Sequence, residues 1–151
     1  MSTDASITRR DGTDQLQGGA LSASLEDYLE AILQLERVSR VARVSEIAGQ
    51  LGVSRPSVTG ALKSLGARRL VAHRRYGHVT LTREGERIAV EVERRHLAIR
   101  DFLTGVLEIP EERAEVTACR LEHVLEPEIL TYFVAYAERM ACTAGDSEPE
   151  G

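Results

Sequence analysis

The sequence predicts a mainly α-helical chain with one small β-hairpin between its third and fourth helices. Three observations lead there. Apolar residues recur every three or four positions through most of the chain, the helical period. That period gives way to alternation in "LVAHRRYGHVTLT", residues 70–82, where Tyr76-Gly77 offers a hairpin turn. Ser, Gly and Pro punctuate the helical segments where caps and stops belong.

Taken in order, residues 24–37 place Leu25, Tyr28, Leu29, Ile32 and Leu33 on one stripe. Ser24 is the expected N-cap, with Glu26 and Asp27 in a first turn where the helix dipole favours acids. Ser45 is expected to cap a short helix through Leu51, ended by Gly52. Ser54 then caps another, with Pro56 in its first turn. Two short helices around a Gly-containing turn form a helix-turn-helix, and a hairpin directly behind one makes a winged helix. Thr82 is expected to cap a long helix to about Val106, striped by Ile88, Val92, Ile99, Leu103 and Val106. Pro110 and Pro127 open two more helices, the last with a seam of Ile129, Leu130, Phe133, Val134 and Ala137. The expected organisation is a tail at 1–22, a winged-helix domain at 23–83, an all-helical domain at 84–142 and an acidic tail at 143–151. Both tails read as disordered.

A chain of 151 residues, 42% apolar and only 4% aromatic, must pack mainly through Leu, Val, Ile and Ala. It contains no apolar run near the roughly 20 residues that span a bilayer. Two cysteines are too few for a disulfide framework, and no secretory signal is recognisable, so a cytoplasmic location is expected. The net charge of −5 is unevenly spread. Arg40 to Arg83 holds nine Lys/Arg against the single acid Glu46, a local +8, and the remainder carries −13. A basic block within an acidic chain is the footprint of a polyanion partner. A winged helix sends its second helix-turn-helix helix into the major groove. Ser57 and Thr59 are therefore expected at base edges, Arg55, Lys63, Arg74 and Arg75 at phosphates, and His78 on the wing beside them. A protein-docking role fits so basic a segment poorly.

The stretch "ACRLEHVLEPE", residues 118–128, sets Cys119, Glu122 and His123 at i, i+3 and i+4 on one helix face. Ala118, Leu121, Val124 and Leu125 lie opposite as the expected core stripe. Thiolate, carboxylate and imidazole are common ligands of divalent transition metals. A redox role for Cys119 competes, if His123 lowers its pKa. Asp27 and Glu30 form an i, i+3 carboxylate pair, and His96 continues the apolar stripe of the long helix. Each signal alone is weak; together they matter only if the helices converge. A metalloenzyme using Glu122 as general base finds no HExxH pair or other hydrolytic constellation, so no enzyme activity is expected.

These segments, "LEDYLEAI", "VSEIAGQLGVSRPSVTGALKSL", "LVAHRRYGHVTLTREGERIA", "ERRHLAIRDFL" and "CRLEHVLEPE", resemble in order and separation the metal-dependent transcriptional repressors that include the diphtheria toxin repressor and the manganese transport regulator. The resemblance runs from about Ser24 to Met140. It implies a homodimer that binds a palindromic double-stranded operator, with a helical metal-binding and dimerisation domain behind the winged helix. It implies a metal-activated repressor of metal homeostasis, with no membrane partner and no organic substrate. By the manganese branch's pattern, one ion takes Asp27, Glu30, His96 and Glu122, and a second shares Glu122 and adds Cys119 and His123. Cys119 stands where that branch has glutamate and looks like the iron branch. The iron branch in turn has methionine at the place of Asp27 and glutamate at that of Arg100. Hard oxygen donors suit Mn²⁺ or Fe²⁺, and the thiol shifts preference towards Fe²⁺, Co²⁺ or Zn²⁺. The rival reading is a dimeric winged-helix regulator that senses an oxidant through Cys119, or a small organic ligand.

Overall fold

A computed structural model describes residues 21–145; residues 1–20 and 146–151, which hold most of both expected tails, lie outside the described residues. Six α-helices and three short strands follow in the order α1 (Ala23–Ser39), β1 (Ala42–Arg43), α2 (Val44–Leu51), α3 (Arg55–Ala67), β2 (Val71–His73), β3 (His78–Leu81), α4 (Arg83–Gly105), α5 (Glu111–Val124) and α6 (Pro127–Gly145).

The caps explain most boundaries. Ser54 accepts the Ser57 N–H at the start of α3, and Thr82 accepts the Gly85 N–H at the start of α4. Gly52 ends α2 in the left-handed conformation that favours glycine. Two expected caps are corrected. Ser22, not Ser24, caps α1 through the Leu25 N–H, so the helix begins two residues earlier and also runs on to Ser39. Ser45 lies inside α2, whose start is held by Glu46 accepting the Arg43 N–H at 3.0 Å. That is half of a capping box, and it stabilises the turn without a Ser/Thr cap.

The hairpin forms as expected, with Tyr76 and Gly77 both at positive φ (64° and 69°) in its turn. Strand β3 lies centrally, antiparallel to β2 and to the unexpected β1, with Arg43 opposite His78. A two-residue strand is too short for periodicity to reveal.

Two cores stack along α4. The first joins α1, α2, α3, the sheet and the start of α4, around Leu29, Ile32, Ile47, Val58, Leu62, Leu65 and Val79. The second joins the far half of α4 to α5 and α6 around Ile99, Leu103, Ala114, Ala118 and Leu130. Phe102 extends it, meeting Phe133 and Tyr136 edge-to-face at 5.2 and 5.5 Å. Three residues expected in apolar stripes are instead exposed: Val106, Val124 and Ile129. They sit at or near helix ends. Residues 143–145, expected in the tail, continue α6.

The start of α4 is pressed against the turn between α3 and β2. Leu70 C=O accepts the Thr82 N–H, and a Cβ added to Gly85 would fall 1.9 Å from that same oxygen. Gly85→Ala is therefore expected to destabilise the protein by about 3 kcal/mol through forced backbone movement. Gly60→Ala, with nothing within 4 Å of the new Cβ, should stabilise by up to about 1 kcal/mol. Thermal unfolding of the two variants distinguishes these outcomes by sign.

Candidate metal centre and nucleic-acid interface

Helix α1 packs on α4, and α5 packs on the other half of α4. That arrangement brings the polar edge of α1 to the C-terminal half of α5. There the Asp27, Cys119 and Glu122 ligand atoms lie within 4.8 Å of one another. The helix wheel's account of α5 needs correction at this point. Its buried residues are Ala114, Ala118 and Glu122, so Glu122 continues the core stripe and its side chain is only 1% exposed. Cys119 lies one step round the helix and is exposed.

Two histidines bracket the Glu122 carboxylate. His96 Nδ1 lies 3.0 Å from Oε2, and His96 Nε2 lies 2.7 Å from Glu115 Oε1. His123 Nε2 lies 2.7 Å from Asp27 Oδ1 and 3.2 Å from Glu122 Oε1, while its Nδ1 lies 3.2 Å from Glu26 Oε2. The shorter contact to Asp27 takes the His123 Nε2 proton. Glu122 Oε1 is consequently buried with no hydrogen-bond partner. An orphaned carboxylate oxygen in a protein interior is costly unless a cation or proton reaches it.

The electrostatics match a cluster of acids short of positive charge. Burial pushes the Glu30 carboxyl up to about 7, and the charges of Glu122 and Asp27 add to it while His96 opposes it. His96 is raised to about 9, first by its bond to Glu122, against the cost of burial. Burial lowers the His123 pKa, but the bond to Asp27 and the charges of Asp27, Glu122 and Glu26 outweigh it, leaving it raised. The Cys119 thiol is pushed up to about 11 by burial and by the charges of Asp27, Glu122, Glu30 and Glu115.

All six residues singled out from the sequence thus converge, but grouped differently. Asp27 stands with Cys119 and His123 as well as with Glu122, whereas the family pattern grouped it with Glu30, His96 and Glu122. Glu26 and Glu115 were not singled out. Glu115 was findable, since 115, 119 and 122 share one helix stripe, and Glu26 adjoins Asp27. The donor set fits a divalent transition metal: carboxylates, imidazoles and a thiol around a buried carboxylate oxygen with no hydrogen-bond partner.

Arg55, Ser57, Thr59 and Lys63 are all exposed on α3, and Arg74 and Arg75 on the wing. Ser57 Oγ shares a 2.8 Å bond with Ser54 Oγ, and Thr59 Oγ1 donates to the Arg55 carbonyl at 3.1 Å, which orients both hydroxyls. Arg74 Nε donates to Thr80 Oγ1 at 3.3 Å. His78 is half-buried and accepts from Arg43 Nε at 3.4 Å, so β1 adds an arginine to the wing that the sequence did not reveal.

Comparisons with known proteins agree with this layout. Residues 20–79 match the model of the iron dependent repressor N-terminal DNA binding domain, and residues 82–150 that of the iron dependent repressor metal binding and dimerisation domain. An uncharacterized HTH-type transcriptional regulator of Methanocaldococcus jannaschii is 34% identical over 120 residues, covering 79% of this chain and 96% of that one. The transcriptional regulator MntR of Escherichia coli O6:H1 is 36% identical over 115 residues, 76% of this chain and 74% of that one. The crystal structure of T. acidophilum IdeR superposes with a TM-score of 0.67 at 27% identity, covering 83% of this chain and 56% of that one. With both family domains matched in order across nearly all the described residues, the chain belongs to the iron-dependent repressor family of metal-dependent transcriptional regulators.

Proposed function

We propose that this chain is a homodimeric repressor of metal-ion homeostasis that binds a palindromic DNA operator when Mn²⁺ or Fe²⁺ occupies a cluster of Asp27, Glu30, His96, Cys119, Glu122 and His123. The observation that carries the reading is the convergence of Asp27, from the helix-turn-helix core, with Cys119 and Glu122 of α5 around an oxygen that lacks a partner. A bound divalent cation supplies positive charge to that oxygen and joins the two lobes. The family's relatives bearing MntR and IdeR in their names support the choice of Mn²⁺ or Fe²⁺. Two ions per subunit, sharing Glu122, remain the proposed occupancy, with the domains meeting near residues 83–84.

The chain's own residues set up the response. His96 meets the Glu122 carboxylate and His123 that of Asp27, while burial and the neighbouring acids raise the Glu30 pKa. Deprotonation leaves clustered carboxylates that repel across the gap between α1 and α5. Fixing that gap fixes α3, because α1 packs on α2 and α3 within one core. A dimer reading a palindrome needs its two recognition helices about 34 Å apart, so control of lobe position becomes control of DNA affinity. Arg55, Lys63, Arg74 and Arg75 are proposed to hold phosphates, with His78 beside them, and Ser57 and Thr59 to meet bases. The competing redox reading is disfavoured by the raised Cys119 pKa, because the neutral thiol is a poor nucleophile.

The decisive experiment measures operator affinity across Mn²⁺, anaerobic Fe²⁺, Co²⁺ and Zn²⁺, for wild type and Cys119→Glu. Metal should tighten wild-type binding, and the variant should shift preference towards Mn²⁺; equal affinity of apo and loaded protein would overturn the proposal. Replacing Arg74 and Arg75 with Ala should weaken operator and non-operator DNA alike. It should also reduce the log–log salt slope by about 2, roughly one phosphate per arginine.

Metal affinity should also depend on pH with a defined sign. Glu30 and His96 have folded pKa values raised above their ordinary ones, to about 7 and about 9. Their protonated forms stabilise the metal-free fold at low pH. That contribution fades for Glu30 between about 4.5 and 7, and for His96 between about 6.5 and 9. Metal must displace those protons, so its affinity should rise from pH 6 to pH 9, by up to about tenfold per pH unit for each proton lost. Calorimetry in buffers of differing ionisation enthalpy reads the proton count directly.

A further inference from the structure

Both histidines of the cluster are built alike. His96 turns Nδ1 to Glu122 and gives Nε2 to Glu115, a carboxylate on the outer side. His123 turns Nε2 to Asp27 and Glu122 and gives Nδ1 to Glu26, again on the outer side. Each outer carboxylate is backed by an arginine of α4. Arg95 Nη1 lies 3.8 Å from Glu26 Oε1, and Arg100 Nη1 lies 3.8 Å from Glu115 Oε2. Two Arg–Glu–His chains therefore run from the α4 surface to the Glu122 carboxylate, one from each side.

We propose that Glu26 and Glu115 are positioning residues that hold His123 Nε2 and His96 Nδ1 towards the metal, each anchored by an arginine of α4. The inference rests on the metal-binding reading above. An imidazole that ligates through one nitrogen carries its proton on the other, and an acceptor for that proton fixes both the tautomer and the ring plane. Glu26 and Glu115 are the acceptors, and both rings are nearly enclosed, with His96 8% and His123 11% exposed. At 3.8 Å the arginines offset the charge of each outer carboxylate without hydrogen-bonding it, and Arg100 also bonds Asp101 at 3.2 Å; a carboxylate so balanced supports the histidine without joining the ligand set. The placement also explains why two acids that lack a place in the ligand pattern lie at 2.7 and 3.2 Å from imidazole nitrogens rather than in solvent. Arg95 further pairs with Glu91 at 3.7 Å, which restricts its own side chain.

The test uses the full chain and Co²⁺, comparing wild type with Glu115→Gln, Glu115→Leu, Glu26→Gln and Glu26→Leu. Each Leu variant should bind Co²⁺ about 10- to 100-fold more weakly at unchanged stoichiometry. The Gln variants, whose amide oxygen still accepts the N–H, should recover most of that loss. In the Co²⁺-loaded wild type, the two imidazole N–H protons should give hyperfine-shifted proton resonances that vanish in D₂O. Glu115→Leu should remove one by fast exchange, and Glu26→Leu the other. A purely structural role would leave those resonances in place while lowering the thermal stability of the metal-free protein. Unchanged affinity and intact resonances in the Leu variants would overturn the proposal, as would loss of a whole equivalent of Co²⁺ in both the Gln and Leu forms, which marks a ligand. If wild type itself binds no Co²⁺, the metal reading fails first and takes this one with it.

Discussion

The Glu122 carboxylate is buried at the junction of α1, α4 and α5, with one oxygen bonded to His96 and the other lacking any hydrogen bond. Leaving a charge in that state costs several kcal/mol, and a helical domain of this size is stable by little more. The surroundings are arranged around the debt. Small residues, Ala114 and Ala118, let α5 approach α4 closely. The approach carries Glu122 inward beside His96, and it brings His123 within reach of Asp27 and Glu26 on α1. A leucine at 122 would complete an ordinary core stripe. Keeping glutamate there sacrifices stability for a site that attracts cations.

Cys119 gives that site its character. Desolvation first, and then the field of the acids around it, raises its thiol pKa. Binding through sulfur thus requires expulsion of a proton that the surrounding charges favour, which a cation offsets by neutralising those same charges. In the proposed site the thiol is conditional: weakly nucleophilic alone, and a ligand only alongside a metal that softer donors suit. The neighbouring oxygens of Asp27 and Glu122 favour harder ions. The two tendencies are opposed within one cluster, and selectivity follows from their balance rather than from the thiol alone.

Much of this was legible in the sequence because helix periods and caps are local. Ser54, Gly52, Thr82 and the turn at Tyr76-Gly77 mark their elements correctly, since each acts through a hydrogen bond or backbone angle a few residues away. The six residues picked out for metal chemistry do converge. Failures lie where distant packing decides. The helix wheel put Glu122 on a polar face because polarity, not the approach of α4, defined that face. Glu26 and Glu115 escaped notice because an acid on a helix surface looks the same whether it meets water or an imidazole. Strand β1 depends wholly on β3 for its existence, and two residues carry no period.

The contacts that span α1 and α5 also limit how strong the metal response should be. His123 bonds Asp27 and Glu26 directly, so α1 and α5 are joined by their own side chains. A further clamp joins α1 to α4: Arg37 of α1 grips Glu93 of α4 through two bonds of 2.6 and 2.9 Å. Being exposed, it holds the register of α1 on α4 only weakly, about 1 kcal/mol at most. In the proposed mechanism, metal adds its own contacts between α1 and α5 to those the side chains make. Coupling of this kind belongs in the range of 1–3 kcal/mol, enough to change DNA occupancy by about 5- to 150-fold. A more rigid cross-lobe connection would bind DNA without metal, and a looser one would leave the recognition helices unplaced even with it.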